Sequence, residues 1–506
     1  MNRPTRRDFL KLASSATLAA IFQKLYGDFP VRVVGREIPD KPNVIVLVFD
    51  TMSARHLSLY GYGRETTPNL KRFAERSTVF HSCISGGNYT TPGTATIITG
   101  MYPWTHRAIN QSGLMLRKLV ERNVFALFSD YNRFAYTQNL WADYLLTQFE
   151  SDLEIHLLPT TFSLVKKSAG EFFRSDRNAG YRSMDDFLFQ TSERPASLLF
   201  GPLEKYIFLY NLARTSSKGY SRGLPHDVTN PKYFRLEDVY QGVYERLIGL
   251  STPFFAYIHL YAPHEPYRPR IEFENIFDDG WRPEAKPKSR FSDGSTYNNL
   301  ITRRTNYDEY VANVDAEFGT LINALSKQGI LDTSIVVVTS DHGQLFERGV
   351  HGHTTPLLYE PVIHIPLLIS LPGQSIRKDI FTPVSSADIV PTLLTLIGRE
   401  VPSWCDGEIL SGYTMDIGNE RSKPVFTIEA KSNSAFAPLH RATISMRKGA
   451  SKLIYYTGYG FDDWFELYNI ESDPEELQNL YADNAASRIL REELLWYLEA
   501  SNKMLE

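Results

Sequence analysis

The chain has 506 residues, with 42% hydrophobic, 22% charged and a formal net charge of -4. This length and balance suit a globular protein with a large buried core, and the lack of a basic excess argues against a nucleic-acid partner. Two cysteines, Cys83 and Cys405, exclude a disulfide framework and a cysteine-based metal cluster; one bridge between them stays open, and two free thiols are the expected state.

In chain order the first signal is "PTRRDFLKLASSATLAAIF". Arg6 and Arg7 precede Phe9, Leu10 and Lys11, followed by small apolar residues in a run too short to span a bilayer comfortably. From Thr5 to Lys11 the stretch resembles a twin-arginine export signal at every position. Residues 1–30 are therefore expected to direct export to the periplasm, the medium or a membrane-tethered state. No Ala-x-Ala site follows, so release and a tether through this segment both stay open.

"NVIVLVFD" is a β-branched apolar run bounded by Pro42, which predicts a strand buried on both faces and ending at Asp50. "TTPNLKRFAERS" places Thr67 before Pro68, the order of an N-cap and a first helical position, with Leu70, Phe73 and Ala74 inward. "NYTTPGTATIITGMYPW" puts hydroxyls ahead of a short helix that stops at Gly100. Those hydroxyls are either helix caps or a nucleophile, and Thr90 and Thr91 compete for that role. From about 110 to 240 no run predicts a strand, and the stretch reads as an insertion or lid. "PFFAYIHL" predicts a strand over Phe254–Leu260. Tyr310, Val314, Phe318, Leu321, Ile322 and Leu325 recur at helical spacing up to Gly329, and a further strand covers Ser334–Thr339. "IPLLISLPG" predicts another.

Strands separated by helices predict an α/β sandwich with a mostly parallel central sheet over residues 42–400. After Cys405, "PVFTIEA", "RATISMR" and "KLIYYTG" predict short antiparallel strands, followed by a terminal helix. Residues 405–506 are thus expected to form a small α+β subdomain. In open α/β sheets ligands gather at the carboxyl ends of the strands. Asp50, His264, Asp341 and His342 all fall there. Two carboxylates and an imidazole converging at strand ends would hold one divalent cation, with Mn, Mg, Ca and Zn all open. His351 and His353 follow on a glycine-rich loop.

The blocks "NVIVLVFDTMSARHLSLYGYGRETTPNL", "TPGTATIITGMYP", "HLYAPHEPY", "VDAEFGTLINALSKQGILDTSIVVVTSDHG" and "ELYNIESDPEELQNL" together resemble the sulfatases and their relatives in the alkaline-phosphatase superfamily. The resemblance implies a three-layer sandwich, a smaller C-terminal domain and an ester-cleaving metal enzyme. Sulfatases carry Cys or Ser, any residue, Pro, any residue, Arg, and the first of these becomes formylglycine. Here Thr90 and Thr94 stand at the first and last positions. This departure points to the phosphate-transferring relatives, which use a threonine nucleophile beside a metal. The implied roles are Thr90 as nucleophile and metal ligand, Asp50, Asp341 and His342 as metal ligands, and His264 at the ester or its leaving oxygen. His353, or else His351, falls at a position that contacts the ester or the metal. The expected reaction is hydrolysis or transfer of a phosphate ester, phosphodiesterase or phosphotransferase in type, with lipid or glycan linkage open. The alternatives are a sulfuric ester hydrolase and a non-catalytic binding protein. No aspartate stands four residues before the histidine of "YIHLYAPHEPY", so one metal is expected. His56, His106 and Arg107 are expected to play ordinary structural or solvated roles.

Overall fold

The computed structural model describes residues 41–164, 210, 219–228, 232–414 and 423–503. The twin-arginine segment and much of the expected lid lie outside these residues. The central sheet has eight strands: Asn43–Phe49 (β1), Thr78–Phe80 (β2), Asn132–Thr137 (β3), Ile155–Leu157 (β4), Phe254–Leu260 (β5), Ser334–Ser340 (β6), Leu367–Ser370 (β7) and Lys378–Ile380 (β8). Their spatial order is β8-β2-β7-β6-β1-β5-β3-β4. β1 lies between β5 and β6, parallel to both, with Phe49 level with Leu260 and with Ser340.

Alternation along these strands builds two cores. Ile45, Leu47 and Phe49 face one side, where they meet Leu70 and Phe73 of helix Pro68–Ala74 (α1). Val44, Val46 and Val48 face the other, with Ala95, Ile97 and Ile98 of helix Thr90–Thr99 (α2). Helices Leu236–Ile248 (α4) and Tyr297–Lys327 (α5) complete the first layer; Leu140–Leu146 (α3) and Ile389–Leu396 (α6) contribute to the second. Each fully buried Val, Leu, Ile or Phe is worth roughly 1.5–3 kcal/mol relative to exposure, so apolar runs of this kind specify a middle layer.

The structure adds local detail to these expectations. β3 and β4 fall inside the stretch expected to lack strands. β3 begins with the polar, half-buried Asn132 and Arg133, and all three residues of β4 are half-buried, so neither forms a continuous apolar run. β7 runs antiparallel to both β6 and β2, because the segment joining β6 to β7 carries a hairpin and a one-turn helix instead of a long crossover helix. α5 starts at Tyr297, capped by Thr296, ahead of the apolar periodicity that begins near Tyr310. The C-terminal sheet has four antiparallel strands, Val425–Glu429 (β9), Ala442–Lys448 (β10), Ser451–Thr457 (β11) and Trp464–Asn469 (β12), the last of which had not been expected. It shares a core with Tyr102, Trp104 and Leu494, the last from helix Ala485–Lys503 (α7). Among the described residues no helix is long and apolar enough to cross a membrane. No disulfide joins Cys83 and Cys405.

Candidate active site

The parallel register of β5, β1 and β6 brings the carboxyl ends of three strands to one edge. Asp50 leaves β1 and Asp341 leaves β6, both fully buried. His342 follows Asp341, and its Nε2 lies 3.4 Å from Asp341 Oδ2 and 3.6 Å from Asp50 Oδ1. From β5 comes a residue the sequence reading passed over, His259, whose Nε2 lies 3.5 Å from the same Asp341 Oδ2. Ligand atoms of Asp50, His259 and Asp341 all lie within 4.8 Å of one another.

These atoms are unpaired. Asp50 Oδ1, Asp341 Oδ2, His342 Nε2 and both nitrogens of His259 are buried without a hydrogen-bond partner among the described residues. Buried polar atoms are costly when orphaned, and four of these five, one from each residue, lie together where a cation could satisfy them. Burial pushes both carboxyls well above their ordinary range, and the charge of Asp50 raises Asp341 further. Burial also pushes His259 and His342 down to about 3, so both imidazoles are neutral and have lone pairs to offer. The site thus offers two carboxylates and two imidazoles for one divalent metal. The remaining oxygens are already held. Asp341 Oδ1 accepts from the amides of Thr51 (3.2 Å) and His342 (2.9 Å), and Asp50 Oδ2 accepts from Asn139 Nδ2 (2.6 Å). Thr51 adopts φ +63, unusual for a β-branched residue. Its amide serves Asp341, and its carbonyl accepts from Tyr307 Oη at 2.6 Å.

Thr90 opens α2. The N-cap residue is Tyr89, and no side chain caps the helix. The hydroxyls of the opening stretch therefore do other work. Thr91 Oγ1 donates to the Gln111 carbonyl at 2.5 Å, which removes its expected capping role. Thr90 Oγ1 instead accepts from Asn139 Nδ2 at 3.2 Å, the same nitrogen that holds Asp50. Asn139 is the second residue that the sequence reading missed. Gly93 lets α2 approach: a β-carbon there would lie 2.3 Å from the Asp341 carbonyl oxygen.

Thr90, Asn139, Trp141, Tyr261, His264 and His353 line one cavity of about 150 Å³. The His264 and His353 ring centres lie 5.2 Å apart, and His353 lies against His342 at 4.4 Å. His264 Nδ1 meets the Glu265 carbonyl at 2.8 Å, and His353 Nδ1 meets Gln344 Oε1 at 2.7 Å. Burial holds His353 well below its ordinary range. His351 is not among the cavity residues; its Nε2 pairs with Tyr267 Oη at 3.1 Å. His56, His106 and Arg107 are buried. His56 pairs with Asp308, and Arg107 donates to backbone carbonyls of residues 434, 435 and 437. Their work is structural.

A family model described as Sulfatase matches residues 42–399, and one described as N-sulphoglucosamine sulphohydrolase, C-terminal, matches residues 349–502. The chain is 25% identical to a choline-sulfatase of Rhizobium meliloti, over 87% of this chain and 82% of that protein. It is 22% identical to an N-acetylglucosamine-6-O-sulfatase of Bacteroides thetaiotaomicron, over 92% of this chain and 87% of that protein. The crystal structure of a phosphonate monoester hydrolase of Agrobacterium radiobacter superposes with a TM-score of 0.62 at 18% identity, covering 91% of this chain and 96% of that one.

Proposed function

Because the chain belongs to the sulfatase family of the alkaline-phosphatase superfamily, whose members are ester hydrolases, we propose that it cleaves phosphate-type esters through a covalent ester on Thr90. The observation that carries this reading is the placement of the Thr90 hydroxyl: at an uncapped helix N-terminus, bridged by one amide nitrogen to a buried cluster of unpaired metal-ligand atoms. Asp50, His259, Asp341 and His342 would hold the metal. When bound it supplies positive charge that offsets the developing charge on the attacking oxygen and on the ester oxygens. The two nitrogen donors favour an imidazole-binding ion such as Zn over the oxygen-seeking Ca, Mg or Mn.

Thr90 Oγ would form the new bond to phosphorus as its proton passes to solvent, and the bond from phosphorus to the leaving oxygen would break as that oxygen takes up a proton. The Thr90 and Thr91 amides of the first turn of α2 would face the negative oxygens of the ester; Pro92 has no N–H and the Gly93 amide donates to the Tyr89 carbonyl. His264 and His353 share the cavity and would exchange protons with the leaving oxygen and with the incoming water. Water, or an acceptor alcohol in a transfer reaction, then displaces Thr90 and restores its hydroxyl. Among the described residues the cavity is lined by Asp227 and Glu265 and by no Lys or Arg. That lining suits a group with a single negative charge, a phosphodiester or a sulfate monoester, better than a doubly charged phosphate monoester.

A second reading, sulfate-ester hydrolysis, is favoured by the names of the two sulfatase relatives. Turnover of bis(p-nitrophenyl) phosphate, p-nitrophenyl phosphate and p-nitrophenyl sulfate, before and after chelation, separates the two. The expected result is fastest cleavage of the diester, lost on chelation and lower by several orders of magnitude in Thr90→Ala. Preference for the sulfate would establish the second reading. Equal turnover by Thr90→Ala and wild type would overturn both as mechanisms through Thr90.

A further inference from the structure

We infer that Asn139 is a catalytic residue, whose side-chain N–H stabilises the charge that develops on the Thr90 oxygen during attack. The inference rests on Thr90 being the nucleophile. Asn139 follows β3 and is 3% exposed. Its Oδ1 accepts from the backbone amides of Trp141 at 2.7 Å and Ala142 at 3.3 Å, capping α3. With the carbonyl end committed to two N–H donors, the amide has one orientation, and its nitrogen points to the opposite side. There Nδ2 has two hydrogens and two acceptors, Asp50 Oδ2 at 2.6 Å and Thr90 Oγ1 at 3.2 Å. Two acceptor and two donor positions are all used, which is the full capacity of an asparagine side chain.

This arrangement does two things. It occupies Asp50 Oδ2 and leaves Oδ1 as the oxygen that lacks a partner. It also places a fixed N–H on Thr90 Oγ, so the threonine proton must point elsewhere. As that proton leaves and Oγ forms its bond to the ester, the contact changes from a neutral hydrogen bond to a charge-assisted one. No atoms of Asn139 move and no proton leaves it. The helix cap has fixed the donor in advance, so stabilisation costs no reorganisation during the reaction.

Two substitutions separate this role from capping alone. Asn139→Asp keeps the shape and the cap acceptor but replaces the donor with an oxygen. Asn139→Ser keeps a residue type favoured at N-caps, adds no charge and does not reach Thr90. Both are assayed with bis(p-nitrophenyl) phosphate and p-nitrophenyl sulfate, with kcat expressed per bound metal from elemental analysis. Loss of one such donor lowers kcat by about 10²–10³-fold, and that is the expected result for both variants. KM should stay within about threefold, because the contact strengthens only in the transition state. The melting temperature of Asn139→Ser should stay near wild type, whereas that of Asn139→Asp should fall, because its new carboxyl oxygen lies against Asp50. Wild-type kcat in Asn139→Ser would overturn the inference and leave Asn139 as a helix cap. Thr90→Ala is measured alongside. If it is as active as wild type, the nucleophile assignment itself fails; if it is inactive while both Asn139 variants are fully active, only the role of Asn139 fails.

Discussion

At the scale of single residues, Gly93 shows how closely α2, which opens with Thr90, approaches the loop that follows β6. An added β-carbon would meet the Asp341 backbone oxygen at 2.3 Å, and a backbone atom cannot swing away as a flexible side-chain end can. Gly93→Ala must therefore push α2 back or shift the loop that carries Asp341 and His342. The expected cost is about 1–3 kcal/mol of stability, as for other overpacked sites. Because the displaced loop carries Asp341 and His342, two of the four proposed ligands, bound metal should fall as well. A thermal melt and elemental analysis of Gly93→Ala check both, and a wild-type melt with full metal would show that the approach is not as tight as the geometry implies.

At the scale of elements, what could be read in the sequence follows burial. β1 and β6 are apolar runs packed on both faces, so Asp50 and Asp341 at their ends stood out, and His342 came with the second. His259 did not stand out because it lies inside β5, where a lone histidine in "FFAYIHL" reads as one more buried strand residue. Only its register, level with Val48 one step before the edge, brings it to the metal cluster. Asn139 was hidden for a different reason. It follows β3, whose polar first residues disguise a central-sheet strand, so nothing placed Asn139 at a carboxyl edge. The strand-to-helix turn "TQNLW" held a weak signal, an asparagine at a helix N-cap. Sequence patterning thus marks the strands whose two faces are buried. Strands with mixed faces are recognised through their partners.

At the scale of the whole molecule, the C-terminal sheet is joined to the layers carrying the site by a buried charge cluster. Lys452 on β11 is fully buried, with Nζ 3.0 Å from Glu360 and 2.7 Å from Glu476. Burial alone would raise the Glu360 carboxyl, but Lys452, with His364 and Arg447, holds it at about 2 against an ordinary 4.5. A carboxyl lowered in the folded state stabilises the fold above its unfolded value, and that contribution is lost as pH falls through the folded value. Lys452→Met leaves Glu360 and Glu476 buried without this cation, at an expected cost of about 3–5 kcal/mol. The deficit should shrink as pH falls from neutral toward about 2, where Glu360 takes up its proton even beside Lys452. Denaturant melts of both proteins across that range test the sign, and a deficit that grows on acidification would refute the assignment.

The central claim is that Thr90 carries the ester group between two chemical steps. Its most direct test is to mix the metal-loaded protein with bis(p-nitrophenyl) phosphate or p-nitrophenyl sulfate, quench in acid within the first turnovers, and map the modified peptide by mass spectrometry. The account predicts one p-nitrophenylphosphoryl group from the diester, or one sulfuryl group from the sulfate, on Thr90, absent after chelation and absent in Thr90→Ala. An adduct on Thr91, or steady turnover with no adduct and full activity in Thr90→Ala, would contradict it.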